Sequence, residues 1–106
     1  QFTWEGIFFG LKGSRPIRKY LPDVLHSTEG GKREAMQKPV DIIKRMIEAS
    51  TDPGQSVCAP FMGTGSVGVA CAELGRDFCG IEISPEYCEI ARRRIEAATR
   101  QGKLEL

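Results

Sequence analysis

An α/β fold, a partial parallel sheet with flanking helices, is what this 106-residue sequence predicts. Three observations carry that expectation. The apolar run Val57-Cys58-Ala59 meets a glycine-rich stretch, Pro60-Phe61-Met62-Gly63-Thr64-Gly65-Ser66, and apolar character resumes in Val67-Gly68-Val69-Ala70-Cys71-Ala72, the pattern of strand, tight turn and helix. A second short apolar run, Phe78-Cys79-Gly80-Ile81, ends in the carboxylate of Glu82. Two strands joined by a crossover of this length imply parallel pairing with a right-handed connection.

The N-terminal segment Phe2 to Phe9 is rich in aromatic and β-branched residues and stops at Gly10, so a strand is expected over 2–9. Lys12 to Tyr20 is basic and interrupted by Pro16, which reads as a loop. Leu21 to Leu25 adds a short extended segment, because the residue before Pro22 is pushed out of the helical region. His26 to Gln37 shows no period of either kind and is expected to be a surface loop able to close over a ligand.

From Pro39 the pattern turns helical. Val40, Ile43, Met46 and Ile47 share one face, which predicts a helix over 39–49. Asp52-Pro53-Gly54 is turn chemistry that ends it and leads into a strand over 55–59. After the glycine turn a buried helix is expected, closed by Gly75 as its C-terminal cap. A strand over 78–82 then yields to Ser84-Pro85-Glu86, where Ser84 caps and Pro85 opens a helix carrying Tyr87, Ile90, Ala91, Arg94 and Ile95 to about residue 99. Two parallel strands and one N-terminal strand leave open hydrogen-bonding edges, which predicts a partner: a second copy or a chain supplying further strands.

Composition excludes several classes of function. A hydrophobic share of 41% with 27% charged residues describes an ordinary globular chain rather than a disordered one. Fifteen basic against fourteen acidic residues give a net charge of +1, so overall charge does not advertise nucleic acid binding, although Lys12, Arg15, Arg18, Lys19, Lys32 and Arg33 gather in the first third. That cluster fits a solvated loop as well as a phosphate-contacting patch. Cysteines at 58, 71, 79 and 88 form no Cys-x-x-Cys pair and His26 is the only imidazole, which argues against zinc. Cys58 and Cys79 in the expected strands and Cys71 on an apolar helix face read as small buried thiols in a reducing compartment, and with no apolar run of membrane-spanning length the expected location is cytoplasmic.

Functionally, Gly63 and Gly65 allow positive φ and close approach of a ligand to the backbone, and the first turn of the next helix leaves amide donors free. About twenty residues on, Glu82 occupies the position from which an acid accepts ribose hydroxyls in nucleotide-binding α/β units. Tight-turn geometry alone is the alternative account of the glycines, and an exposed residue at the N-terminus of a helix that of Glu82; the pair together favours the ligand reading.

The stretches Gln37-Lys38-Pro39, Ala59 to Ser66 and Gly75 to Glu82 resemble, in that order, the C-terminal portion of circularly permuted DNA amino-methyltransferases, which modify adenine N6 or cytosine N4. Tyr87 and Ala91-Arg92-Arg93-Arg94-Ile95 continue the match, which covers residues 37–98, while Trp4-Glu5 through Lys12-Gly13 is looser. The resemblance implies a partial Rossmann-like sheet, with an N-terminal strand and basic loop over 1–36 and an S-adenosylmethionine-binding half-domain over 37–106. By that resemblance the cofactor lies across Phe61, Gly63 and Gly65, with Ser66 at the helix start, Glu82 on the ribose and Lys38 near the methionine carboxylate. Phe61 fits a core position under the turn as well, and Lys38 a solvated loop.

Two departures stand beside the match. The family has an acid where this chain has Ala59, removing a polar anchor near the cofactor. The Asp/Asn/Ser-Pro-Pro-Tyr/Phe motif that grips the amine of a flipped base is absent from the 106 residues, so no catalytic residue is assigned. The expectation is therefore the cofactor-binding part of a DNA amino-methyltransferase, inactive alone. The alternatives are a non-catalytic remnant that binds DNA or serves assembly, and a module for another adenosine nucleotide.

Overall fold

A computed structural model of the protein describes residues 39–104. Three helices and two strands run in the order α1 (Val40–Ser50), β1 (Ser56–Ala59), α2 (Ser66–Leu74), β2 (Asp77–Gly80) and α3 (Pro85–Leu104). The strand expected over 2–9, the loops up to Gln37, and Lys38 lie outside the described residues.

The two strands pair in parallel, with Ser56 opposite Asp77, Val57 opposite Phe78, Cys58 opposite Cys79 and Ala59 opposite Gly80. The expected β–α–β unit is thus present, and its crossover helix α2 is the centre of the packing: it touches α1, α3 and β2. Ser66, Gly68, Val69, Ala70 and Cys71 are all buried, so α2 is enclosed on most sides rather than amphipathic. The core joins Ile43 and Ile47 of α1 to Ala70 and Cys71 of α2, with Val57 and Phe78 of the strands packed against them. Small residues make this closeness possible: a Cβ on Gly68 would meet the rings and methyls of Phe78 and Ile95.

Local chemistry explains the boundaries. α1 is preceded by Pro39, whose carbonyl receives the Ile43 amide at 3.3 Å. It ends where Thr51 turns its own hydroxyl and amide onto Ile47 O, at 2.7 and 2.9 Å. Gly54 and Gly75 both have positive φ, +87° and +77°, and the Gly54 amide donates to Gly75 O at 2.9 Å, joining the two turns at the lower end of the sheet. Arg76 fastens the same corner, donating to Thr51 Oγ1 and Thr51 O at 3.0 and 2.7 Å and to Leu74 O at 2.9 Å. Ser84 caps α3 as expected, its hydroxyl accepting the Tyr87 amide at 3.3 Å. α3 continues to Leu104 rather than ending near 99, supported on its exposed side by Arg92 and Arg93 paired with Glu89 and by Arg92 paired with Glu96.

One expectation is corrected. Cys58 and Cys79 are exposed, not buried; only Cys71 of the four thiols is fully buried. The reason is the strand period of two: Val57, Ala59, Phe78 and Gly80 alternate with Ser56, Cys58, Asp77 and Cys79, and α2 packs on the former set. Among the described residues nothing covers the second face of the sheet, whereas parallel strands are ordinarily covered on both faces. No described helix is long and apolar enough to cross a membrane.

Candidate functional site

The site forms where the two parallel strands end side by side, the location at which open α/β sheets bind ligands. Backbone pairing runs past both strands: Ile81 N donates to Ala59 O at 3.0 Å and Met62 N donates to Ile81 O at 3.0 Å. These bonds lay the glycine turn along the segment that carries Glu82. The Gly63 amide then donates to Glu82 Oε1 at 2.9 Å, and the Ser84 amide donates to Oε2 at 2.8 Å. Glu82 is half-buried and hydrogen-bonded rather than a loose residue ahead of α3. A carboxylate oxygen offers two lone pairs, so each oxygen keeps one acceptor position for another donor.

The two glycines do different work. Gly63 has φ +55° and open space where a side chain would stand, so its backbone can be approached from outside. Gly65 has φ +87°, and a Cβ there would lie 2.7 Å from Ala91 Cβ and 2.9 Å from Ala91 Cα. The close approach permitted at Gly65 is therefore that of α3, and its amide is used within the turn, donating to Met62 O at 2.9 Å. The first helical bond of α2 runs from Val69 N to Gly65 O, which leaves the amides of 66–68 as the leading donors of that helix.

Phe61 is 92% exposed, which removes the core position as an account of it, and Ile83, next after Glu82 in the chain, is 97% exposed. The glycine turn and the segment after β2 thus each leave a large apolar side chain exposed. Clefts of about 590 and 430 Å³ lie elsewhere, lined by residues such as Glu73 and Gln101 in one case and Phe78 and Thr99 in the other. Neither is lined by Phe61, Gly63 or Glu82. Ser66 opens α2, but the residue is only 4% exposed and its hydroxyl accepts from Arg94 Nη1 and Nη2, each at 3.3 Å. Ala59 ends β1 opposite Gly80 with its side chain half-buried.

Two participants were not singled out from the sequence. Thr64, 3% exposed, receives Arg94 Nη1 on its carbonyl at 2.6 Å and on its hydroxyl at 3.1 Å. The signal was present: Tyr87, Ala91 and Arg94 stand at helical spacing on the face that α3 turns inward, so a charged residue occupies a core stripe and needs a partner there. Among the described residues, no group of three or more His, Cys, Asp or Glu side chains is placed to hold a metal.

Comparison with known proteins supplies the family. A family model described as DNA methylase, for N6 and N4 methyltransferases, matches residues 5–93. The chain belongs to this DNA methylase family. Among curated relatives, the type II methyltransferase M2.DpnII of Streptococcus pneumoniae is 48% identical over 61 residues, which is 58% of this chain and 23% of the relative. The type II methyltransferase M.Cfr9I of Citrobacter freundii is 47% identical over 58 residues, 55% of this chain and 19% of the relative. The chain therefore spans about a fifth of the length of these curated relatives. Among solved structures, M1.HpyAVI in its complex with SAM is 39% identical with a TM-score of 0.57, covering 60% of this chain and 33% of that one. A Thermus thermophilus chain described as a DNA modification methylase, complexed with S-adenosyl-L-methionine, is 31% identical with a TM-score of 0.55, over 57% and 26% of the two chains. The family's partial α/β sheet, expected from the glycine turn and crossover, is the fold of residues 39–104.

Proposed function

We propose that this chain is the S-adenosylmethionine-binding part of a DNA amino-methyltransferase acting on adenine N6 or cytosine N4. The observation that carries this reading is the Gly63 to Glu82 hydrogen bond of 2.9 Å, which brings the turn after β1 and the acid after β2 into one corner of the sheet. An adenosyl group set against that corner would place its ribose hydroxyls on the two remaining acceptor positions of Glu82, because a carboxylate with both oxygens already oriented loses little freedom on accepting them. The exposed side chains of Phe61 and Ile83 are free to supply apolar contact, and the open backbone at Gly63 admits the ligand. The leading amides of α2, with Ser66 first, give the positive end of a helix for the anionic end of the cofactor, and Lys38 adds a cation for its carboxylate. Gly65 contributes by holding α3 against the turn.

Bound there, the cofactor supplies an electrophilic methyl group on a sulfonium. These residues bind and orient it; they do not hold the base. The base-gripping Pro-Pro motif and the remaining strands come from polypeptide other than these 106 residues, or from a second copy of the chain in the case of the strands. Such strands would pair at the open edges, and their helices would cover the exposed face of Ser56, Cys58, Asp77 and Cys79. DNA would then be the substrate of the completed assembly, and the chain alone transfers no methyl group.

Isothermal titration with S-adenosylmethionine and its demethylated product tests the reading. Saturable binding to the wild-type chain that is lost in Glu82→Ala is the expected result. Absence of heat at millimolar ligand with correctly folded protein, or equal affinity in Glu82→Ala, overturns it. Incubation with duplex DNA and labelled cofactor should show no methyl incorporation.

A further inference from the structure

We infer that Arg94 is a positioning residue for the glycine turn, a strut from α3 that fixes where α2 begins and hence where its leading amides point. The inference rests on the proposed cofactor role of that turn. Arg94 stands on the inward stripe of α3 and is half-buried. Its Nη1 reaches the Thr64 carbonyl at 2.6 Å, the Thr64 hydroxyl at 3.1 Å and the Ser66 hydroxyl at 3.3 Å, and Nη2 reaches the same Ser66 hydroxyl. Both recipients are almost fully enclosed, at 3% and 4% exposure, so water is a poor substitute for the guanidinium.

The position of the acceptor matters more than the number of bonds. Gly65 O is the first carbonyl taken into the α2 ladder, by Val69 N at 2.9 Å. The carbonyl immediately before it, Thr64 O, is the one that Arg94 holds. A guanidinium at that carbonyl anchors the residue just ahead of the ladder through a short, charge-assisted bond, and so fixes where turn gives way to helix. Gly65 adds a steric register from the same helix, its backbone lying against Ala91, three residues before Arg94. On the other side of the turn Glu82 holds the Gly63 amide. The four residues 63–66 are therefore gripped from the segment after β2 through a carboxylate and from α3 through a guanidinium. Arg94 has no need to touch the ligand; it acts through Thr64 and Ser66.

The test is amide hydrogen exchange on the ligand-free chain, read residue by residue, together with calorimetric titration of S-adenosylmethionine. Arg94→Met keeps the length of the stem and removes the donors. The expected result is faster exchange confined to residues 63–68, with α1 unchanged, and about tenfold weaker cofactor binding. Arg94→Lys, which keeps the charge and one reach to Thr64 O, recovers part of both and is the variant read if Arg94→Met does not fold. Arg92→Ala, on the exposed side of the same helix, changes neither. Exchange at 63–68 that matches wild type, or that rises evenly across all elements, overturns the assignment. A wild-type chain that binds no cofactor would sink the proposed function while leaving the exchange measurement to judge the strut.

Discussion

The carboxylate of Glu82 holds the Gly63 amide at 2.9 Å and so ties the turn after β1 to the end of β2. A single acid thereby sets the shape of a corner before any ligand arrives. Glu82→Gln should expose this double role. One amide oxygen can still accept from Gly63 or Ser84, but the NH2 group then faces the other backbone donor. A loss of about 1–2 kcal/mol in urea unfolding is expected, and about 2–3 kcal/mol for Glu82→Ala, which leaves both amides without their acceptor.

The two glycines of the turn should respond unequally to alanine. Gly63→Ala meets open space and suffers mainly from its positive φ, costing about 1 kcal/mol. Gly65→Ala combines positive φ with a contact of 2.7 Å to Ala91 Cβ, and is expected to cost about 3 kcal/mol or more. Denaturant midpoints of the two variants, measured side by side, check the order.

Thiol accessibility provides a direct test of the sheet's two faces. Cys58 and Cys79 should react rapidly with a thiol reagent in the folded chain, since both are exposed. Cys71 should react only on unfolding, because burial removes access and pushes its thiol pKa upward. Peptide mapping after a short labelling pulse distinguishes them.

Acid should loosen α3 through Glu89. Hydrogen bonds from Arg92 and Arg93 hold its carboxyl down at about 2, against an ordinary value of 4.5. Between those values the unfolded chain binds the proton more readily than the folded one, so the stabilisation is complete above pH 4.5 and is lost as pH falls towards 2. The group is solvent-exposed, so the effect should be small and should weaken with added salt. Helicity followed from about pH 5 to 2 in wild type and Glu89→Gln checks the sign, with the variant showing the flatter profile.

Arg76 joins the ends of α1 and α2, so Arg76→Ala should destabilise the chain by about 1–2 kcal/mol without altering the turn at 63–66. Unchanged exchange of the Gly63 amide beside a lowered unfolding midpoint is the expected pair of results.

Much of this architecture was legible in the residues because local and long-range signals agree. The turn at Asp52-Pro53-Gly54, the cap at Ser84 and the Gly75 stop each depend on a few adjacent residues, and β1, α2 and β2 follow from them within a residue or two. What escaped was information held between elements. The identity of Gly65 as a packing glycine depends on Ala91, far along the chain, and the meaning of Arg94 depends on Thr64. The exposure of Cys58 and Cys79 is likewise set between elements, because strand composition reports that a residue suits a sheet but not which face is covered. The extension of α3 beyond residue 99 follows from the strong helix formers Arg100, Gln101 and Lys103, outweighing Gly102.

The backbone bonds from Ile81 to Ala59 and from Met62 to Ile81 carry the sheet's ladder into the loop above it. The loop is consequently geared to the strands: sliding β2 against β1 must also displace Met62 and the amide that follows it. Whatever molecule settles on that loop will stiffen the strand pair beneath it, and whatever neighbour braces the strands will preset the loop.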